Sequence, residues 1–155
     1  MKYLAVLSAL LPAFAFSSGL EHFPGGQPRD LTQFDAPLRI VNVWATWCAP
    51  CRREMPELSD WYRKQPKNSV DLIGIAIDRA ENINRFLQNT PVSYPIWRYT
   101  GKNSRNLMRN VGNTSGGIPY TLIERKSCTF KYSITGEVNT AKLNAAVREV
   151  RKQCG

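Results

Sequence analysis

Two runs of apolar, largely β-branched residues stand out in the hydrophobic pattern of the chain, Leu38 to Trp44 and Val70 to Ile77. Continuous apolar runs of this length are typical of parallel strands that are buried on both faces. Between the runs, Met55, Leu58 and Tyr62 follow the spacing of one face of a helix. The pattern therefore predicts two parallel strands joined by an amphipathic helix.

The second half of the chain continues the alternation of helix and strand patterns. Asp78 to Asn89 predicts a helix that begins with the capping-box sequence Asp78-Arg79-Ala80-Glu81. Tyr120 to Glu124 and Phe130 to Thr135 flank a turn, which predicts a hairpin. Further predicted elements are a short strand at Ser93 to Arg98, a helix around Ser104 to Asn110 and a final helix from Thr140 to Lys152. The main order, β-α-β-α-β-β-α, predicts an α/β fold with a central sheet covered on both faces.

Cys48 and Cys51 lie in the sequence Cys48-Ala49-Pro50-Cys51, between the first strand and the helix that follows it. Two cysteines at this spacing at the start of a helix lie about one turn apart, so their sulfur atoms can form a bond. The unpaired N–H groups and the positive dipole end of the helix stabilise a thiolate at the first position. We therefore expect Cys48 to attack a disulfide and Cys51 to resolve the mixed disulfide.

Other roles for this cysteine pair fit the sequence less well. A zinc site needs about four N or S ligands, and the only histidine is His22 near the N-terminus. A purely structural bridge across so short a loop would constrain little of the unfolded chain. We therefore expect no metal and no cofactor besides a Cys48–Cys51 redox-active disulfide. Arg52 and Arg53 could either stabilise the thiolate or simply be solvated, and both interpretations stay open.

The N-terminal residues predict export. Met1-Lys2 precedes a mostly apolar run that ends at Phe16 and is followed by small residues, which is the pattern of a cleavable signal peptide at residues 1–18. The apolar run is shorter than the roughly 20 residues of a membrane span. Residues 19–37, rich in Gly and Pro, are expected to form a leader, and residues 38–155 a single domain.

The chain is strongly basic. It has 21 Lys and Arg against 12 Asp and Glu, a formal net charge of +9, which falls to about +8 when Lys2 is removed with the signal peptide. The basic residues are spread through the sequence, which disfavours a nucleic-acid partner. Acidic partner proteins or the membrane surface are the expected contacts.

Cys128 and Cys154 form a second pair with a different character. Cys128 lies in the predicted hairpin turn; the next strand leads about 20 Å away from it, at roughly 3.3 Å per residue. The last helix returns about the same distance and carries Cys154 on its apolar side. A structural disulfide between the two is therefore expected in an oxidising compartment, with a second redox pair or two free thiols as the alternatives.

Two segments carry a family resemblance. Val43 to Cys51, followed by Pro56, and Gly117 to Thr121 before a strand resemble the thioredoxin superfamily, and within it the exported TlpA/ResA/CcmG-like branch. The resemblance covers about residues 34–152. It implies a thioredoxin-like three-layer fold with a central mixed sheet flanked by helices. It also implies a periplasmic disulfide reductase that a membrane electron donor keeps reduced and that acts on partner proteins.

The resemblance gives Pro119 a role. In the family this proline is cis and lies against the C-x-x-C pair, and with Ile118 and Trp47 it would contact the substrate. Apart from the resemblance, Pro119 would be read as an ordinary proline that begins a strand in a Gly-rich turn.

Two polar positions suggest how protons are handled. Where thioredoxin has a buried aspartate, this chain has Asn42, which cannot titrate. By its position along the chain, after the second predicted strand, Asp78 corresponds to an acidic residue that the ResA-like branch has near the active site. We expect a raised pKa there and a role as proton shuttle for Cys51, with helix capping as the alternative.

The sequence thus predicts a monomeric, exported thiol:disulfide oxidoreductase that reduces disulfides of exported partner proteins. The resemblance suggests apocytochrome c or copper-site proteins of respiratory oxidases as targets. Two alternatives stay open: an oxidase or isomerase of envelope proteins, and a chaperone or assembly factor whose thiols only capture a partner.

Overall fold

The computed structural model describes residues 18–155. The predicted signal peptide falls on residues 1–17 and Ser18, so it lies almost wholly outside the described residues and stays a prediction. Over residues 18–155, no helix has the length and apolar character needed to cross a membrane. The elements in chain order are β1 (Leu20–Phe23), β2 (Pro28–Arg29), β3 (Leu38–Trp44), α1 (Ala49–Arg63), β4 (Val70–Ala76), α2 (Ala80–Asn89), β5 (Ile96–Tyr99), α3 (Ser104–Asn110), β6 (Tyr120–Arg125), β7 (Lys131–Thr135) and α4 (Thr140–Gln153).

The strands form one mixed sheet in the order β2-β1-β5-β4-β3-β6-β7. β3, β4 and β5 run parallel, as their apolar sequences predict. β6 lies antiparallel to β3 on its other side, with Tyr120 opposite Val43. The predicted mixed sheet and the β6–β7 hairpin are thus confirmed.

Helices cover both faces of the sheet. On β3, Ile40 and Trp44 pack in a core with residues of α1, α2 and α4. Val41 and Val43 point to the opposite face and pack in a second core with residues of α3. This alternation along one strand produces the three-layer arrangement.

The sequence predicts a leader over residues 19–37, but the structure places two short strands of the sheet there, β1 and β2. β1 pairs antiparallel with β5, from Leu20 opposite Tyr99 to Phe23 opposite Ile96. Further on, Phe34 is buried against Trp97, with ring centroids 5.8 Å apart. The segment therefore covers an edge that β5 would otherwise leave open.

β5 begins three residues later than predicted. The N–H of Ser93 donates to the Oγ of Ser59 on α1, at 2.7 Å, instead of to a neighbouring strand. Pro95 has no N–H to give to the ladder. Pairing with β4 therefore starts only at Ile96.

Candidate active site

The residues predicted for exchange and substrate contact meet at one edge of the sheet, where β3, β4 and β5 end and β6 begins. We call this the active-site edge. The parallel register aligns Trp44 with Ala76, so the segments after β3 and β4 leave the sheet side by side. The antiparallel register of β6 brings the residues before Tyr120 to the same place.

Cys48 and Cys51 are joined by a disulfide of 2.05 Å, with their Cα atoms 5.3 Å apart. Cys48 is the N-cap residue of α1, and its sulfur accepts a hydrogen bond from the N–H of Cys51 at 3.3 Å. Cys48 is 6% exposed and Cys51 is fully buried. The helix therefore presents its positive end to Cys48, the one sulfur that solvent and a substrate can reach.

Trp47 stands beside this disulfide as the most exposed large apolar side chain in residues 18–155, at 67%. An indole with most of its surface in water offers a large contact area to a partner. The sequence prediction of a substrate contact at Trp47 stays a prediction.

The segment before β6 forms the other wall of the site. The Ile118–Pro119 peptide bond is cis, and Ile118 packs against the core cluster that contains both cysteines. The carbonyl of Pro119 accepts from the N–H of Gly136 at 2.8 Å. Within residues 18–155, the backbone N–H and C=O of Ile118 have no hydrogen-bond partner.

Asn113 organises this segment from a buried position. Its Nδ2 donates to the carbonyl of Gly117 at 2.8 Å, and its Oδ1 accepts from the N–H of Gly116 at 2.9 Å and from Ser115 Oγ at 3.0 Å. One amide therefore ties together the loop that leads directly into Ile118.

Asp78 lies at the active-site edge, but its pKa shifts in the direction opposite to the expected one. Its Oδ2 accepts from the Thr46 hydroxyl, and its Oδ1 accepts from the N–H of Arg79 at 2.7 Å and from Asn82 Nδ2 at 2.9 Å. Burial acts to raise the Asp78 pKa, but these hydrogen bonds outweigh it and hold the pKa below its ordinary value. The expectation of a raised pKa is wrong.

The predicted capping box is also wrong. Arg79 is the N-cap residue of α2, and in the described part of the chain, residues 18–155, no side chain caps this helix end. The Asp78 carboxylate accepts from Thr46, which follows the neighbouring strand β3, and from Arg79 and Asn82. One tertiary contact and two local ones thus stand in place of the predicted bond to the N–H of Glu81.

Glu54 is a buried acid that the sequence analysis missed. It lies one turn after Cys51 on α1 and is 1% exposed. Its Oε1 accepts from Asn42 Nδ2 and its Oε2 from the N–H of Val138, both at 2.8 Å. Burial raises the pKa of Glu54 to about 7, although both hydrogen bonds favour its ionised form. A signal was present in the sequence, because the i, i+3 spacing from Cys51 places Glu54 near the apolar face of α1.

Asn42 occupies the place between Glu54 and β6. It is fully buried, and its Nδ2 also lies 3.1 Å from Thr121 Oγ1, while its Oδ1 has no hydrogen-bond partner among residues 18–155. A side-chain amide can present either its N–H₂ or its C=O group. Asn42 therefore can donate to an ionised Glu54 and, after turning over, accept from a protonated one.

The two arginines after Cys51 differ in their surroundings. Arg53 makes a two-pronged ion pair with Glu137, with Nη2 2.6 Å from Oε2 and Nε 3.1 Å from Oε2. Arg52 is exposed, and within residues 18–155 its side chain has no partner. Of these two arginines, Arg52 is therefore the one that keeps an unpaired charge.

Cys128 and Cys154 are joined by a disulfide at the opposite edge of the sheet, with Cα atoms 5.7 Å apart. Nearby, Arg125 Nη1 donates to the carbonyl of Cys154 at 3.3 Å and to that of Gly155. The structure thus separates this bond from the Cys48–Cys51 pair by the length of β6. Its purely structural role stays a prediction, as does the absence of a metal; in residues 18–155 no three His, Cys, Asp or Glu side chains are grouped to hold one.

Comparison with known proteins identifies a matching family and related proteins of similar sequence. A profile of the AhpC/TSA family matches residues 11–130. The thiol-disulfide oxidoreductase ResA of Geobacillus thermodenitrificans is 24% identical over 127 residues, 81% of this chain and 70% of that protein. ResA of Oceanobacillus iheyensis is 22% identical over 74% of this chain, and the match spans 57% of that relative's length.

Two solved structures show the same fold. A thioredoxin-related protein from Neisseria meningitidis serogroup B is 53% identical and superposes with a TM-score of 0.82, covering 86% of this chain and 98% of that one. StoA from Bacillus subtilis is 18% identical, with a TM-score of 0.63 over 80% of this chain and 91% of that one, a likeness of fold alone. The predicted thioredoxin-like three-layer fold is confirmed.

Proposed function

The chain belongs to the AhpC/TSA family of thioredoxin-fold proteins, and from this premise we propose that it is a thiol:disulfide oxidoreductase that reduces disulfides of partner proteins. The observation that carries the proposal is the Cys48–Cys51 disulfide at the start of α1, with one sulfur reachable and the other buried. Such an arrangement suits exchange with a partner disulfide better than it suits cross-linking of the fold.

The exchange proceeds from the reduced pair. The Cys48 thiolate attacks one sulfur of the substrate disulfide, and the other substrate sulfur leaves as a thiolate and takes up a proton. Cys51 then loses its proton and attacks the Cys48 sulfur, which releases the second substrate thiol. Two electrons pass to the substrate, its S–S bond breaks and the Cys48–Cys51 bond forms. A dithiol donor must then reduce the enzyme again.

Glu54 is proposed as the group that takes the proton of Cys51. It lies on the same side of α1, about one turn away, and burial raises its pKa to about 7, so it can hold or give up a proton near neutral pH. Asn42 can hydrogen-bond both of its states. Asp78, with a lowered pKa, is the weaker candidate for this step because its hydrogen bonds keep it ionised.

Substrate contact is proposed on both sides of Cys48. The unpaired backbone groups of Ile118 can bond to an extended substrate segment, and Trp47 can pack over it. Pro119 follows Ile118 and keeps its own carbonyl bonded within the fold. The side chains at positions 47 and 118 would then set which substrates are accepted.

The physiological setting is also proposed. The sequence suggests export by a signal peptide to the periplasm, action as a monomer, and recycling by a membrane electron donor. Disulfides in apocytochrome c or in copper-site proteins of respiratory oxidases are the substrate class that the family resemblance implies. The names of the relatives, which are thiol-disulfide oxidoreductases, support only the exchange chemistry within this setting.

The reduction potential of the Cys48–Cys51 pair tests the direction of electron flow. We expect a value near or below about −250 mV, from equilibration with a thiol–disulfide redox buffer and counting of free thiols. A value near about −120 mV would instead indicate an envelope oxidase.

The identity of the nucleophile is tested by substitution. Cys48→Ser is expected to abolish reduction of a disulfide-bonded test protein while the thermal unfolding midpoint changes little. Cys51→Ser should accumulate a mixed disulfide with that protein. If Cys48→Ser kept its turnover, the proposed exchange would be refuted, and capture without turnover in the unmodified protein would favour a chaperone role.

A further inference from the structure

We propose that the active-site edge is a docking surface for acidic segments of partner proteins, in particular for the acidic residues that flank the disulfide to be reduced. The proposal rests on the proposed exchange reaction, because the surface surrounds Cys48, the proposed nucleophile. It defines the substrate class by charge, which the cysteine chemistry does not.

Three cations without an ion-pair partner among residues 18–155 lie near the cysteines. Arg52 follows Cys51 directly and is exposed. Arg79 and Lys102, both exposed, line one surface cleft together with Asp78. The carboxylate of Asp78 accepts from Thr46, two residues before Cys48, which places that cleft beside the active site.

Two further cations lie on α3. Arg105 and Arg109 are four residues apart on α3, so they share one face of the helix. Together with Asn113 and Gly116 they line a cleft of about 400 Å³. Because Asn113 ties Gly117 in place, this cleft adjoins the segment that enters Ile118.

The positive charge of this surface is not cancelled within the fold. Across residues 18–155, none of the five cations forms an ion pair, whereas Arg53 is paired with Glu137. The acidic side chains among them are Asp78, whose oxygens are taken up by hydrogen bonds, and the exposed Glu81. The surface around the cysteines is therefore positive. Such a patch attracts an oppositely charged partner and orients it before contact.

An acidic protein fits this surface better than an anionic membrane does. The clefts that hold four of these cations adjoin Asp78, which is bonded to Thr46, and the segment that enters Ile118. A substrate disulfide must approach Cys48 between these places. A membrane lying on the patch would cover Cys48, whereas an acidic segment on either side of a disulfide would deliver that disulfide to it.

The test compares three synthetic peptides that share one internal disulfide and differ only in flanking residues, which are acidic, neutral or basic. We expect kcat/KM for the acidic peptide to exceed that for the basic one by about tenfold or more at an ionic strength of about 0.02 M. The difference should shrink to within about threefold at about 0.5 M salt, because screening shortens the range of the field.

A matched pair of charge-reversal variants locates the effect. R105E/R109E should remove most of the preference for the acidic peptide. R151E/K152E changes the net charge equally, in the last turn of α4 at the opposite edge, and should leave the preference within about twofold of the original. Thermal unfolding verifies that each variant is folded, and R105Q/R109Q replaces the first variant if it is not.

The outcomes separate the surface from the chemistry. Equal rates for the three peptides, or equal loss of preference in both variants, would overturn the docking surface but not the exchange reaction. If no peptide were reduced, the proposed function would fail; fluorescence anisotropy with the cysteines of each peptide replaced by serine would still measure binding, and equal affinities would refute the surface. Binding to phosphatidylglycerol vesicles without binding to the acidic peptide would also overturn it.

Discussion

Two acidic residues near the cysteines show how their surroundings decide their chemistry. Asp78 receives hydrogen bonds from a hydroxyl, an amide and a backbone N–H, so its pKa is lowered. Glu54 receives two hydrogen bonds but is deeply buried, and burial raises its pKa to about 7. Only Glu54 can therefore change its protonation state in the neutral range.

The pH dependence of exchange should follow Glu54. In the unmodified protein we expect the rate of mixed-disulfide resolution to change through about pH 7, as Glu54 becomes able to accept the Cys51 proton. Glu54→Gln should remove this transition and slow resolution by about 10²-fold. Asp78→Asn is the matched control, because it should keep the transition near pH 7. Stopped-flow tryptophan fluorescence measures both variants, and a transition that moved with Asp78 instead would contradict the assignment.

Stability should also depend on Glu54. Its pKa is near 4.5 in the unfolded chain and about 7 in the fold, so the folded protein binds the proton more tightly. The stabilisation is complete below about pH 4.5 and is lost as pH rises through about 7, a change of about 3 kcal/mol.

Denaturant unfolding at several pH values checks this contribution. The unmodified protein should lose stability between about pH 5 and pH 8 relative to Glu54→Gln, whose free energy of unfolding should be flatter over that range. Parallel curves for the two proteins would show that Glu54 has an ordinary pKa.

At the scale of elements, the loop before β6 depends on a single side chain. Asn113→Ala would remove the hydrogen bonds to Gly116 and Gly117 and leave those groups without their partner. We expect a loss of about 1 to 3 kcal/mol in the free energy of unfolding, and a higher KM for peptide disulfides because Ile118 is no longer held in position.

Two further variants make this prediction specific. Asn113→Asp keeps the oxygen that accepts from Gly116 but loses the donor to Gly117, so its KM should lie between those of the unmodified protein and Asn113→Ala. Asn110→Ala, at an exposed position at the end of α3, should change stability by less than about 0.5 kcal/mol. An unchanged KM in all three variants would separate the loop from substrate binding.

The individual strands and helices show which parts of the fold can be predicted from the sequence. β3 and β4 were predictable because their apolar runs are long and buried on both faces. β1 and β2 have only four and two residues, too few for a periodic pattern, and their pairing depends on β5. The start of α2 was mispredicted because the Asp78 carboxylate bonds to Thr46, remote in sequence, and to Arg79 and Asn82.

The site was predictable to the extent that its residues are local. Cys48, Cys51 and Trp47 are contiguous or nearly so, and a helix start dictates their arrangement. The partnership of Glu54 with Asn42 and Val138 joins a helix, a strand and a distant loop. No sequence spacing indicates that meeting, because it depends on how α1 packs on the sheet.

For the whole molecule, the two disulfides lie at opposite edges of one sheet. The Cys128–Cys154 bond closes a segment with a sequence separation of 26, and in the chain-entropy model it contributes about 3 kcal/mol. The double variant Cys128→Ser/Cys154→Ser should lower the free energy of unfolding by about that amount. At temperatures below its unfolding midpoint, its exchange rate should equal that of the unmodified protein. A large loss of exchange in the folded variant would indicate that the second pair takes part in the redox cycle.

The pairing of β1 also indicates where an affinity tag or a surface attachment should be placed on this protein. Leu20 lies opposite Tyr99, at the end of β5, so an affinity tag fused just before residue 18 would emerge at the active-site edge, three strands from β3. Gly155 lies against Arg125 at the far edge. Attachment to a sensor surface through Gly155 would therefore leave the active-site edge facing the solution, whereas attachment before residue 18 would turn that edge toward the support.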